Sequence, residues 1–256
     1  MPSFINGNKP ILTAMIELSE PDAIISEIRN SLYEADAIGI ELADIRPEFR
    51  NVDVYSNIFQ FAEDKPIYVT NYRNKLNTAL SDEELADGLM MALKAGATLI
   101  DVMGDMYSPS EFELTYEKKA IERQMELISR IHEQGGEVLM SSHIHPFLPE
   151  EKVLEIAYEQ EKRGADISKI VTWADTEEEL MANLQTSMKL KRQLKIPFLF
   201  LANGRACKIQ RVVGYMFGSA VILCVQKFRK NNLREQPLLR AERAVVSNAD
   251  ISCWRR

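Results

Sequence analysis

Eight short apolar runs recur along the chain, and this recurrence constrains the fold more than any other feature of the sequence. They are Pro10–Ile16, Ala37–Leu42, Pro66–Thr70, Ala97–Met103, Glu137–Ser141, Ile167–Trp173, Ile196–Ala202 and Tyr215–Val225. Each has the length of a strand and carries β-branched or aromatic residues. Most begin roughly 30 residues after the one before, the repeat of one strand–helix unit. A longer gap between Ala97 and Glu137 holds a longer helix and an extra loop. The segments between the runs read as capped amphipathic helices. Ser81 with Glu84 and Thr176 with Glu179 are capping boxes, and Ser19 with Asp22 is a weaker, carboxylate version. Ile121, Met125, Ile128 and Ile131 stripe a fourth helix that Gly135-Gly136 ends. These stripes are core packing against a sheet. Eight strands alternating with helices predict an α/β fold, a (βα)8 TIM barrel formed as a single domain over residues 1–256. The stripe fades after Val246, so residues 247–256 are expected to fray or dock loosely.

Composition narrows the partners. A chain of 256 residues with 46% hydrophobic content can bury one large core without disulfides or metals. Its 38 acidic against 31 basic residues, a net charge of −7, repel a phosphate backbone and argue against nucleic-acid binding. The basic residues between Lys227 and Arg243 read as a solvated surface. Three scattered cysteines (Cys207, Cys224, Cys253) with no CxxC pattern point to a reducing compartment, hence a cytoplasmic protein. No run of 18 apolar residues is present, so no membrane partner is expected.

A parallel barrel works at the C-terminal ends of its strands, so polar residues inside or just after the apolar runs are the candidates. Lys169, in the middle of Asp166 to Trp173, is the foremost. Desolvation there disfavours the ammonium, which suits an amine that attacks a carbonyl; a lysine snorkelling from a strand end is the plain alternative. Ser141-Ser142-His143-Ile144-His145 holds two of the three histidines. His143 and His145 are spaced as a metal pair needing a third ligand such as Asp101 or Glu41, but His143 as proton shuttle to Lys169 on the next strand is more economical. Glu41, at the end of Ile38-Gly39-Ile40-Glu41, can orient His143 or a substrate hydroxyl, or serve as a salt-bridge acid. Arg211, ahead of an apolar run ending in Phe217-Gly218-Ser219, can present its fork to a carboxylate or phosphate. The glycine spacing around it matches neither a Walker loop nor a dinucleotide fingerprint.

Together, Met140-Ser141-Ser142-His143, Gly164-Ala165-Asp166-Ile167-Ser168-Lys169-Ile170 and Arg211 with Gly214 to Ala220 resemble type I 3-dehydroquinate dehydratases. The resemblance runs from about Pro10 to Val246, and the lysine motif is its most specific part. It implies a Schiff-base hydro-lyase of the shikimate pathway, forming the precursor of the aromatic amino acids. Lys169 forms an imine with the C3 carbonyl of 3-dehydroquinate. His143 removes the adjacent proton, protonates the departing hydroxyl and helps form and hydrolyse the imine, with Glu41 close by. Arg211 clamps the substrate carboxylate. Gln236, Arg73 and Ser219 complete the substrate-binding set, Arg73 only with a one-residue shift. The resemblance implies no cofactor, no metal and a homodimer. The sequence departs from the pattern at Ala43, where the family has arginine, at Met103, where it has an acid, and in Asn232 to Gln236, where it has Ser-Ala-Pro-Gly-Gln. Such changes in substrate-reading groups leave open another cyclic or polyhydroxy keto acid, a Schiff-base aldolase, or a metabolite-binding relative.

Overall fold

The computed structural model describes residues 3–5, 9–229 and 235–249. Eight parallel strands form the sheet: β1 (Ile11–Ile16), β2 (Ala37–Glu41), β3 (Ile67–Thr70), β4 (Leu99–Met103), β5 (Glu137–His143), β6 (Ile167–Trp173), β7 (Phe198–Asn203) and β8 (Val221–Cys224). Each pairs with its sequence neighbour from β1 to β7, and β8 returns to pair with β1. The seam between β7 and β8 is bridged where Ala220 N–H donates to the Phe198 carbonyl at 2.8 Å. The result is a nearly closed TIM barrel, as the recurrence of the apolar runs predicts.

The eighth run shows the largest difference from the sequence reading. Only Val221–Cys224 is strand; Gly214–Phe217 makes a tight 3-10 turn. Gly218, at φ +115°, then reverses the chain, in a conformation that L side chains rarely adopt. A Cβ there would also crowd Lys191 and Phe198 at 3.0–3.1 Å.

The helices α1 (Pro21–Ser31), α2 (Val52–Phe59), α3 (Asp82–Lys94), α4 (Lys118–Glu133), α5 (Glu150–Lys162), α6 (Glu177–Gln193), α7 (Cys207–Val213) and α8 (Leu239–Asn248) accompany the strands. Both capping boxes form, Ser81–Glu84 on α3 and Thr176–Glu179 on α6. The weaker one does not: α1 starts one turn residue later, at Pro21, with Glu20 as N-cap and no side-chain cap. A proline at the first helical position fixes φ there and needs no N–H partner, which replaces the missing cap. Ile24 and Ile28 of α1 and Leu85 and Leu89 of α3 are fully buried against the strands. Each such side chain contributes about 1.5–3 kcal/mol. The tail splits: Ser247 and Asn248 complete α8, and residues 250–256 lie outside the described residues.

Strand parity places the site. Successive residues face opposite sides of a sheet. On β6, Ile167 and Val171 belong to the cluster that fills the barrel, whereas Ile170 packs outward with the α5 residues Val153 and Ile156. Lys169 therefore points inward. The same parity brings Tyr68 of β3, Asp101 of β4 and Ser141 of β5 into the interior, at the level of Lys169. One turn toward the C-terminal ends come Glu41 and His143. Below them an apolar layer of Leu99, Leu139 and Leu199 fills the barrel, and Phe4 closes its N-terminal end. Phe4 is held by its N–H on Glu137 Oε2 at 2.8 Å and sets its ring edge-on to Tyr68. Gly39 on β2 leaves room for the Met15 side chain, whose sulfur would have to move aside for a Cβ there.

Candidate active site

Lys169 is 4% exposed, so its ammonium cannot be left to water. Its Nζ donates to the Tyr72 hydroxyl at 2.6 Å, the Tyr68 hydroxyl at 3.0 Å and Asp101 Oδ2 at 3.1 Å. Asp101 is the hub of this cluster. Its Oδ2 also accepts from both phenols, Tyr72 at 2.5 Å, and its Oδ1 accepts from the Ser141 hydroxyl. Burial first, and the Asp101 carboxylate second, hold both tyrosine hydroxyls well above their ordinary range, so they stand protonated. The buried amine thus has a counter-ion, Asp101, which the sequence offered only as a metal ligand.

His143 sits at the end of β5, two strand positions beyond Ser141 and one strand away from Lys169. Its Nδ1 lies 2.6 Å from Glu113 Oε2, and its backbone N–H donates to the same oxygen at 2.5 Å. A carboxylate on Nδ1 fixes the tautomer and leaves Nε2 as the working nitrogen. Glu113 comes from the segment 104–117 between β4 and α4, where it adopts φ +44°. The segment is anchored from below. The Ser142 hydroxyl donates to the Glu113 carbonyl at 2.9 Å. Arg163, 2% exposed, donates to the Gly104 and Thr115 carbonyls and to Gln124 Oε1. Tyr72 links the two halves of the site, with its hydroxyl on Lys169 and its ring edge-on to His143 at 4.9 Å.

Above this floor opens a cavity of about 330 Å³. Lys169, Tyr72, His143, Glu113, Glu41, Arg73, Lys75, Arg211 and Gln236 line it, with Met15, Val171, Leu201 and Leu223 as an apolar wall. Four of the other residues singled out by the sequence, Glu41, Arg73, Arg211 and Gln236, therefore meet with Lys169 and His143 around one space, in different ways. Glu41 is buried and accepts from the Ala43 N–H at 3.3 Å. Burial raises its carboxyl above the usual range, and the Lys75 ammonium opposes that shift. The carboxylate on His143 is that of Glu113, not Glu41.

Arg211 sits on α7, 7% exposed, with Nε on the Ala202 carbonyl at 2.9 Å and one NH2 group on Asn203 Oδ1 at 2.8 Å. Burial lowers its pKa, and Cys207 and the Glu235 carboxylate oppose that shift, so the guanidinium keeps a charge that an anion entering the cavity could meet. Gln236 is 2% exposed, and its Oε1 has no hydrogen-bond partner among the described residues. The rest of the altered segment, Asn232 to Arg234, lies outside the described residues.

Two of the proposed substrate contacts are placed otherwise. Arg73 borders the cavity, but its guanidinium is occupied by Asp82 at 2.7 and 2.8 Å and by Asp105 at 2.7 Å. Burial pulls its pKa down, and those two carboxylates outweigh the burial and raise it. Ser219 does not line the cavity. Its hydroxyl accepts from the Phe200 N–H at 3.3 Å, at the seam where β8 follows the Gly218 turn. His145 also leaves the site: β5 ends at His143, parity ends with it, and the His145 ring packs on Trp173 at 4.1 Å. Among the described residues no three His, Cys, Asp or Glu side chains are grouped to hold a metal ion.

Tyr68, Tyr72 and Glu113 were not candidates on sequence. Tyr68 could have been placed on the inner face of β3 by parity, whereas Tyr72 lies two residues beyond the end of that strand at Thr70, where parity no longer fixes a direction. Glu113 gives no such signal, because its place depends on the fold of a fourteen-residue loop.

A buried amine with a counter-ion, an oriented imidazole and a buried guanidinium around one cavity can capture a carbonyl, move a proton and hold an anion. The chain is 28% identical over 198 residues to a 3-dehydroquinate dehydratase of Alkaliphilus oremlandii, covering 70% of this chain and 74% of that one. It is 26% identical over 235 residues to that of Geobacillus thermodenitrificans, covering 87% and 84%. The fold superposes on the crystal structure of 3-dehydroquinate dehydratase from Geobacillus kaustophilus with a TM-score of 0.82 and 20% identity, over 96% of this chain and 95% of that one. The family model of type I 3-dehydroquinase matches residues 13–241, and the chain belongs to that family.

Proposed function

We propose that the protein is a hydro-lyase that converts 3-dehydroquinate to 3-dehydroshikimate through an imine on Lys169. The observation that carries this reading is the convergence of Lys169, His143 and Arg211 on one cavity, within a chain of the type I family. Arg211 would hold the substrate carboxylate, which places the ketone over the floor where Lys169 lies. Attack by Nζ on the carbonyl carbon and loss of water give an iminium. This draws electrons from the adjacent C–H bond, and His143 takes that proton. The electron pair then expels the hydroxyl on the next carbon, His143 returns its proton to the departing oxygen, and water releases the product from the lysine. Glu113 stabilises the imidazolium between the two transfers. Gln236 Oε1 and the Glu41 carboxyl offer hydrogen-bond acceptors and donors for ring hydroxyls, and the apolar wall accepts the carbon ring. The scattered cysteines support a cytoplasmic enzyme, and no described helix is long and apolar enough to cross a membrane.

The test is borohydride reduction in the presence of 3-dehydroquinate, followed by mass analysis of the peptide that contains Lys169. A mass increase on that peptide, lost in Lys169→Ala together with turnover, is the expected result. Turnover that persists in Lys169→Ala refutes the reading. A panel of other cyclic keto acids run in the same way asks whether Ala43 and the two occupied carboxylates on Arg73 have shifted the preferred substrate.

A further inference from the structure

Three groups touch Lys169 Nζ, and they are not equivalent. Tyr68 and Asp101 are 1% and 2% exposed and lie in the barrel floor, Tyr68 with its ring against Phe4 on the closed side. Only Tyr72 also lines the cavity. Its hydroxyl has the lysine nitrogen at 2.6 Å and Asp101 Oδ2 at 2.5 Å, on a residue that borders the cavity. His143 lines the same cavity. Its Nδ1 and its backbone N–H are both committed to Glu113, and no hydrogen bond joins it to Lys169.

Resting on the Schiff-base reading above, we propose that Tyr72 is a catalytic residue of imine formation and hydrolysis, relaying protons between Lys169 Nζ, Asp101 and the carbonyl oxygen of the substrate. The balance closes without any outside reagent. Lys169 enters as an ammonium and gives its first proton to Asp101 Oδ2. The freed electron pair forms the N–C bond, and the carbonyl π pair moves to oxygen. That oxygen takes the Tyr72 proton, and Tyr72 regains one from Asp101. The nitrogen now carries two hydrogens and a positive charge, and its second proton follows the same path to the same oxygen. Water leaves, and the nitrogen pair closes the C=N bond. One hydrogen stays on the iminium, two depart in the water, and Asp101 and Tyr72 end as they began. Hydrolysis runs the path in reverse. Burial and the neighbouring carboxylate keep the Tyr72 hydroxyl protonated, so it is a donor whenever a carbonyl oxygen arrives.

Tyr72→Phe isolates the hydroxyl, because the ring that meets His143 is kept. Enzyme and 3-dehydroquinate are mixed rapidly, quenched with borohydride over a time course, and the adduct on Lys169 is followed by mass. Adduct formation is expected to slow by roughly 10²-fold in Tyr72→Phe, the contribution of one placed proton donor. Imine formation then limits turnover, so the primary isotope effect from substrate deuterated beside the ketone falls toward unity. Removing the imidazole should do the opposite, with adduct accumulating in His143→Ala. A second measurement needs no variant: adduct formation by the wild-type enzyme should slow at least twofold in D2O. Adduct forming in Tyr72→Phe at the wild-type rate, or wild-type adduct formation indifferent to D2O, overturns the relay and leaves the Schiff base standing. No adduct in the wild-type enzyme refutes the Schiff-base reading itself and the relay with it.

Discussion

The pairing of Glu113 with His143 gives the sharpest measurable consequence for catalysis. The carboxylate accepts two hydrogen bonds from one residue, at 2.6 Å from Nδ1 and 2.5 Å from the backbone N–H. When His143 takes a proton from carbon, the imidazolium gains a full charge beside it. Two unit charges about 4 Å apart near a protein surface attract by about 4 kcal/mol at an effective dielectric of 20. The side chains are 33% and 21% exposed, so water screens part of this, and about 1.5–3 kcal/mol is a sounder expectation. Glu113→Gln keeps an acceptor for Nδ1–H and loses only the charge. It should reduce kcat by about tenfold, from about 1.4 kcal/mol of lost stabilisation. Glu113→Ala loses orientation as well and should reduce kcat by about 10²-fold. KM should change little in either, because the pair faces the proton and not the carboxylate site. The assay is the rise in ultraviolet absorbance as the product gains its conjugated double bond, combined with the primary isotope effect. That effect should grow as C–H abstraction becomes slower than imine formation. A Glu113→Ala enzyme with wild-type kcat would refute the orienting role.

Other consequences concern binding and stability. Arg211→Ala should raise KM for a carboxylate substrate by roughly 10–10²-fold, the loss of a charge-assisted hydrogen bond of about 1.5–3 kcal/mol; an unchanged KM would remove the clamp. Glu242, 1% exposed on α8 with Oε1 unpartnered, is pushed up to about 7 by burial. In the unfolded chain the same carboxyl titrates near 4.5. The folded state therefore favours the protonated form, carries no penalty below the unfolded value, and loses stability as pH rises from there to 7, by up to about 3 kcal/mol. Glu242→Gln should accordingly raise Tm at pH 8 and leave it nearly unchanged at pH 4; an equal shift at both values would contradict the linkage. Arg163→Met breaks a buried arginine that holds the segment 104–117, and should lower stability by about 3–5 kcal/mol in urea unfolding at neutral pH. A loss within 0.5 kcal/mol would show that the segment does not depend on it.

What the sequence disclosed and what it withheld have separate physical origins. The eight runs are apolar because a parallel strand is buried on both faces, so the strands stand out by composition. Lys169, Glu41 and His143 stand out because a polar residue at such a place is costly. Their convergence follows from a rule of two-residue periodicity and from barrel closure. That rule also covers Tyr68, which gives no signal of cost because tyrosine is as common in a core as in a site; Tyr72 lies beyond the end of β3, where the rule lapses. Glu113 lies where no period applies. Its carboxylate reaches His143 only because Arg163, fifty residues away, gathers the carbonyls of Gly104 and Thr115. Arg73 misled for a related reason: motif spacing puts it near the mouth, but Asp82 and Asp105, which occupy it, come from a helix start and a loop that the motif does not contain. Local pattern carries the frame, and non-local hydrogen bonding decides which charged groups stay free for a ligand.

That distinction bears on why a buried lysine is tolerated at all. An unpaired ammonium at this depth would be strongly destabilising, and removing one partner from a buried pair costs about 3–5 kcal/mol. Asp101 and two phenols compensate the resting enzyme at Lys169. The same three groups suit the reaction, because ammonium and iminium carry the same charge on the same nitrogen. A counter-ion fixed for the first is already in place for the second, and no dipole has to turn when the imine forms. A neutral amine must appear between them. A relay that returns the charge to nitrogen as soon as the N–C bond is made keeps that state brief. Asp101→Asn should therefore fail in a particular way: it leaves the lysine without its counter-ion, so both stability and the rate of imine formation fall, while the Glu113–His143 pair stays intact. An Asp101→Asn enzyme that forms the imine at the wild-type rate would show that the charge of the pair is structural only.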